Sequence, residues 1–163
     1  MGEGDMKDVL RVTDRLRAQC SRREYCSTDV RKKALAALDG DQEKAERVLA
    51  ALVNEKYVDD LRYASAYARD KSSIVGWGET KIRYMLSMKG ISKEIIAEAL
   101  FEIDDDKASS KLEKLMSGKA RSLKDDPQAR LKMLRFGLGR GYTYEEVAEV
   151  TDRIIGQWKI SED

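Results

Sequence analysis

The sequence predicts an all-α fold, an elongated and curved array of three tandem three-helix repeats. Three observations carry this reading. Good helix formers (Ala, Leu, Glu, Lys and Arg) dominate, and the 163 residues hold a single proline. Strand signals are nearly absent, since the β-branched stretch SIVGW (73–77) is too brief for a sheet. A helix–glycine–helix pattern recurs at Gly40, Gly90 and Gly141, with spacings of 50 and 51 residues.

Each glycine ends one helix and a capping residue opens the next. Glycine takes the left-handed conformation that commonly closes a helix at no steric cost. Asp41 follows Gly40 directly, and Ser92 follows Gly90 by two. Thr143 stands two after Gly141, with Glu146 three further on, which is the pattern of a capping box. The first copy is the least regular, because its register drifts by one or two residues after Gly40.

The remaining elements follow in chain order. Val9, Val12 and Leu16 mark an opening helix, and Ser27 or Asp29 starts the second. Asp59 or Asp60 caps a helix on which Ala64, Tyr67, Ala68 and Lys71 share one stripe. The segment SSIVGWG reads as a loop, and Glu79 then opens a helix with Ile82, Met85 and Leu86 turned inward. Ala108, Leu112, Leu115 and Met116 define the next helix. Asp126 before Pro127 reads as a start signal for the following one, and Val147, Val150, Ile154 and Ile155 form the inner stripe of the last. The expected units are residues 1–58, 59–103 and 104–163. None has apolar surface enough to fold alone, so stacking of neighbours must supply the missing contacts.

Composition narrows the function. No run of about 18 apolar residues is present to span a bilayer, and the start lacks the charged and apolar regions of a secretory leader. There is no histidine, and Cys20 and Cys26 alone make neither a disulfide framework nor a four-ligand zinc site. They read as reduced thiols of a cytoplasmic protein. No metal, cofactor or catalytic group is expected, so an enzyme is disfavoured. GLGRG (137–141) lacks the Lys-Ser ending of a phosphate loop, and no strand precedes it. Adjacent Asp59 and Asp60 read as helix-start residues, and Asp104, Asp105 and Asp106 as a solvated turn.

Charge is dense but balanced, with 31 basic and 30 acidic residues. No third of the chain carries a basic excess greater than one, so no dedicated DNA-binding domain stands out. Partner contacts would have to come from bases sorted onto one face. A base recurs nine residues before each glycine, at Arg31, Lys81 and Lys132. With Lys32, Lys33, Arg83 and Arg135 these form an expected basic ridge if the repeats stack in register, against the plainer alternative of scattered solubilising charge. Trp77, between Gly76 and Gly78, either plugs a helix joint or anchors an interface. Tyr63 and Tyr67 read as core.

Two stretches carry a family resemblance. Arg22, Arg23 and Glu24 begin the first. Tyr57, Val58, Asp59, Asp60, Arg62, Tyr63 and Ala64 open the second, followed by Gly78 and by Gly90 with Ile91. Together they resemble the RecX family of bacterial regulators, over roughly residues 7–158; Cys26 and Ser27 depart from the family's serine placement. The resemblance implies tandem three-helix repeats and regulation of the RecA recombinase in DNA repair, homologous recombination and the SOS response. It implies a monomer that binds along the RecA–DNA filament and suppresses its extension, ATPase and strand exchange, touching single- or double-stranded DNA through the filament. The candidate partner-binding residues are then Arg31, Lys32, Lys33, Arg62, Trp77, Lys81, Arg83, Lys132 and Arg135. A helical DNA-binding module acting without a recombinase is the alternative.

Overall fold

A computed structural model of the chain describes residues 2–162. Among the described residues nine α-helices follow in order: α1 (Glu3–Arg22), α2 (Ser27–Ala37), α3 (Gln42–Asn54), α4 (Asp60–Asp70), α5 (Glu79–Met88), α6 (Lys93–Leu100), α7 (Asp105–Arg121), α8 (Ala129–Gly139) and α9 (Tyr144–Glu162). No strand occurs among the described residues. The accessible surface is 10231 Å², whereas a compact monomer of 18.5 kDa exposes about 8,200 Å². The excess is what an extended array of small units requires.

Three apolar clusters lie along the chain. Val12, Leu16, Val30, Ala34, Val48 and Leu52 join α1, α2 and α3. Ala64, Ala68, Ile82, Leu86 and Ile96 join α4, α5 and α6. Met116, Met133, Leu134, Val147 and Ile154 join α7, α8 and α9. Each leucine, isoleucine or methionine buried in this way contributes about 1.5–3 kcal/mol. Cys26 sits before α2, yet its fully buried side chain belongs to the second cluster. The first unit thus donates a core residue to the next.

The caps form as the residues dictate. Asp41, Asp59, Ser92 and Asp104 each accept a hydrogen bond from the amide three residues on. Thr143 and Glu146 close a reciprocal capping box. Of the two adjacent carboxylates, Asp59 caps α4. Asp60 instead reaches back to α2, accepting from the Ser27 amide at 2.7 Å and the Ser27 hydroxyl at 2.6 Å.

Gly40, Gly90 and Gly141 all have positive φ, at 83°, 76° and 92°. The drift in the first copy has a simple cause. Gly90 and Gly141 directly follow the helix-closing residues Lys89 and Arg140, but Leu38 is followed by Asp39, itself at φ 53°, and only then by Gly40. The first junction carries one extra residue.

Two sequence expectations change. SSIVGWG does not form a plain loop, because Lys71–Val75 continues α4 as a π-helical turn. The Gly76 and Trp77 amides both donate to the Lys71 carbonyl at 2.8 Å, and Gly76 closes the turn at φ 81°. Pro127 does not open α8. Asp126 accepts from the Gln128 amide at 2.8 Å, and this side-chain turn holds Pro127 ahead of a helix that begins at Ala129.

The repeats meet at equivalent points. The glycine after α5 rests on the start of α2, where a Cβ on Gly90 would lie 2.8 Å from Thr28 Oγ1. The glycine after α8 rests on the start of α5, where a Cβ on Gly141 would overlap Lys81. Thr28 and Thr80 hold the same second position in their helices. At the second joint the Gly78 amide donates to the Arg140 carbonyl at 2.8 Å, and the Thr80 amide to the Gly141 carbonyl at 3.2 Å. The Arg140 guanidinium donates in turn to the carbonyls of Gly76 and Val75.

Two predictions follow from this packing. Gly78→Ala places a Cβ against the Gly141 backbone and should cost about 1–3 kcal/mol by overpacking. Gly118→Ala, in open space within α7, should stabilise by about 0.5–1 kcal/mol. Thermal melts of the two variants check this, and equal melting temperatures would show that the joint yields. Burial pushes both cysteine thiols above their ordinary pKa, so they stay protonated near neutral pH. Native alkylation should therefore be slow at half-buried Cys20 and absent at Cys26, with both reacting in denaturant; two fast native thiols would contradict the core placement of Cys26.

Candidate partner-binding face

The most distinctive surface is an aromatic ladder on the middle repeat. Tyr63 and Tyr67, one helical turn apart on α4, stack with ring centroids 5.9 Å apart. Trp77 continues the row, 6.3 Å from Tyr67 and tilted by 59°. All three rings are half-buried, so they are wall and surface at once. The π-helical turn makes this possible, because it carries the chain round so that Trp77 lies back against α4.

Lysines cover the ladder. Lys71 Nζ lies 4.7 Å from the Trp77 ring centroid and 5.3 Å from that of Tyr67. Lys81 Nζ lies 4.6 Å from Trp77, and Lys89 Nζ 5.9 Å from Tyr63. Each ammonium is drawn to the negative face of a ring. Burial raises the pKa of both tyrosines, so they remain neutral phenols. Burial opposes the charge on Lys89, yet Tyr63 and Asp29 outweigh it and raise its pKa. Lys89 also bridges the repeats, 3.5 Å from Asp29. Lys71 and Lys81 form no ion pair among the described residues and leave positive charge open to a partner.

The other candidates are placed differently. Arg31 pairs with Glu46, Arg83 with Glu79 at 2.7 Å, and Lys132 with Asp126. Arg62 binds Glu24 at 2.6 Å and the Lys56 carbonyl at 3.1 Å, which ties α4 to the preceding repeat. Lys32 and Arg135 are exposed, and Lys33 lies 5.0 Å from the Tyr25 ring. The recurring bases do not share one helix position. The buried faces align Val30 with Ile82 and Met133, and Ala34 with Leu86 and Gly137. In that register Lys81 and Lys132 correspond to Asp29, and Arg31 corresponds to Arg83 and Leu134. Lys81 and Lys132 thus share one position and Arg31 and Arg83 another, while counting back from Gly40 shifts the first copy by two residues, because α2 runs one residue further past its aligned core position than α5 and Asp39 adds a second.

Sequence reasoning found Trp77 and Lys81 but not Lys71 or Lys89. The signal for Lys71 was present, since it shares the stripe of Ala64, Tyr67 and Ala68. Nothing local marked Lys89, whose role depends on a neighbouring repeat. Among the described residues no group of His, Cys, Asp or Glu could hold a metal ion, and no helix is long and apolar enough to cross a membrane.

Comparison with known proteins gives a consistent picture. A family model described as the second three-helix domain of RecX matches residues 59–100, the repeat that carries the ladder. Regulatory protein RecX of Clostridium tetani (strain Massachusetts / E88) is 32% identical over 119 residues, covering 71% of this chain and 54% of that protein. Regulatory protein RecX of Escherichia coli (strain K12) is 29% identical over 142 residues, covering 87% and 84%. The match thus spans about half the length of the clostridial relatives. Among solved structures, RecX from Lactobacillus salivarius superposes with a TM-score of 0.78 at 22% identity, over 95% of this chain and 99% of that one. A crystal structure of regulatory protein RecX gives 0.79 at 22% identity, over 94% and 74%. These two likenesses establish the fold. Taken with the matched middle repeat and the relatives in sequence, they show that the chain belongs to the RecX family.

Proposed function

We propose that this chain regulates the RecA recombinase, binding along the RecA–DNA filament and suppressing its extension, ATPase and strand exchange by occupancy rather than catalysis. Family membership supports a regulatory role. The structural observation that carries the reading is the lysine-covered aromatic ladder of the middle repeat, with Lys71 and Lys81 unpaired over the Trp77 ring. Tryptophan is enriched where interfaces concentrate their binding energy, and unpaired ammonium groups beside it suit an acidic protein surface or a phosphate chain. The repeat joints support the same reading, because backbone hydrogen bonds at Gly78 and Thr80 fix the spacing of successive units. An array with fixed spacing can meet a periodic partner at more than one point.

The ladder also fits the second reading, a module that binds DNA directly, since bases stack on aromatic side chains in single-strand binders. Salt separates the two. Direct binding weakens steeply with ionic strength, in proportion to the phosphates neutralised.

The test is RecA ATPase turnover on single-stranded DNA with substoichiometric amounts of this protein. Lys71→Glu with Lys81→Glu should raise the concentration for half-inhibition at least tenfold, about 1.4 kcal/mol, with helicity and melting preserved. Lys81→Glu with Arg83→Glu should have a similar effect, carried mainly by Lys81 because Arg83 already pairs with Glu79. Wild-type inhibition by the folded variants at low and moderate salt would remove the ladder from the interface. Absence of inhibition by the wild-type protein would overturn the function itself.

A further inference from the structure

The two joints of the array are built from different chemistry. At the second joint the Gly78 amide donates to the Arg140 carbonyl and the Thr80 amide to the Gly141 carbonyl, while the Arg140 guanidinium donates to the carbonyls of Gly76 and Val75. Helix α7 packs along the π-helical turn Lys71–Val75, so close that a Cβ on Gly76 would overlap Leu115. Gly76, Gly78 and Gly141 are all buried there.

At the first joint no backbone–backbone hydrogen bond crosses between the repeats among the described residues. No described helix of the first repeat packs along a helix of the second. One residue accounts for the difference. Cys26 and Gly78 each stand just before the second helix of their repeat, with the same backbone angles, φ −79° and ψ 166°. A Cβ on Gly78 would lie 2.3 Å from the Gly141 backbone, so the approach made there is closed to a cysteine. The Cys26 side chain is lodged in the second core instead.

What crosses the first joint is a clasp of charged side chains. Asp60 accepts from the Ser27 amide and hydroxyl, Arg62 donates to Glu24, and Lys89 pairs with Asp29 at 3.5 Å. None of these residues is buried. Salt screens exposed pairs of this kind but scarcely weakens buried backbone bonds. The connecting chain has one free step. Val58 is buried in the first core, its amide donating to the Leu52 carbonyl at 3.2 Å, and the next residue, Asp59, already caps α4.

We propose that the chain moves as two bodies. The second and third repeats form one rigid unit, and the first repeat pivots on it about the Val58–Asp59 link and the Cys26 plug, held closed by the clasp of Asp60, Arg62 and Lys89. A hinge absorbs its motion in a few residues between elements, and this link is such a place. Salt opens the clasp, and so does a partner that draws Arg62 or Lys89 to its own carboxylates. The curvature of the array is then adjustable at the first joint and fixed at the second. This goes beyond the filament reading and does not depend on it.

The experiment measures residual dipolar couplings of the backbone amides in the full chain, labelled with nitrogen-15 and aligned in a neutral polyacrylamide gel. Sodium chloride is set at about 0.1 M and about 1 M, where the screening lengths are about 10 Å and about 3 Å. Amides of α4 to α9 should fit one alignment tensor at both salts. Those of α1 to α3 should need a separate one, at least about twofold weaker at high salt than at low, because the clasp is screened. The amide shifts of Val12, Val30 and Val48 should stay in place, since the first core remains folded. Asp60→Ala with Lys89→Met should free the first repeat at low salt as far as high salt frees it in the wild type. If that variant fails to fold, Lys89→Met and the wild-type salt series decide. One tensor for all nine helices at both salts, release of the third repeat instead of the first, or melting of the first core would overturn the proposal. A folded clasp variant that stays coupled at low salt would overturn it as well. No recombinase enters this experiment, so its failure leaves the filament reading standing, and failure of that reading leaves the hinge to be judged separately.

Discussion

The close approach of backbone to backbone at the repeat joints is the constraint on which the rest of the structure depends. At the second joint Gly78 and Gly141 are so near that a side chain on either would overlap its neighbour. Only glycine allows this, and the left-handed conformation at Gly141 is also one that glycine takes without strain. The reward is direct pairing of backbone groups that helix termini otherwise leave without partners. The free amides at the start of α5 meet the free carbonyls at the end of α8. One contact satisfies both ends, and it fixes the distance between units more firmly than side chains would.

Balanced charge takes on a different meaning once the pairs are seen. Arg17 bridges α1 and α3 through Glu55, Arg130 joins α8 to Asp152 of α9, and Arg153 joins α9 to Glu113 of α7. Lys44 gathers Asp5 and Asp8. Each such exposed pair contributes at most about 1 kcal/mol, so none holds the fold by itself. Together the ion pairs engage twelve of the 31 bases among the described residues, so they neutralise the surface only in places. Lys71 and Lys81 are instead held over the ring of Trp77, which they share.

Much of the architecture was legible because it rests on local chemistry. Glycine closures, capping aspartates and serines, and the apolar stripes of α4, α7 and α9 are decided within a few residues, and each formed where its residues indicate. What escaped depends on contacts across repeats. Asp60 looks like any helix-start residue, yet it binds Ser27 in the preceding unit. Cys26 looks like a residue of the first unit, yet its side chain is buried in the second. Trp77 lay between plug and interface, and its half-buried ring packs against Tyr67 while part of it stays exposed. The ridge of recurring bases rested on glycine spacing alone, and two extra residues before Gly40, one in α2 and one at Asp39, shift the first copy against the others.

The two exposed surfaces constrain how the array can lie on anything. The lysine ladder sits on the middle repeat, and a groove lined by Asp105, Glu113, Glu146, Glu149 and Arg153 sits on the third. A uniform polyanion such as DNA would attract the first and repel the second, so it could follow only part of the chain. A protein surface carries both signs and can complement both sites at once. Because the Gly78–Gly141 joint fixes the second repeat against the third, the ladder and the groove stand at a set separation and orientation. A partner that engages both must present an acidic patch and a basic patch at the matching spacing. On the reading proposed above, that requirement selects for a protein of defined geometry over a uniform polyanion.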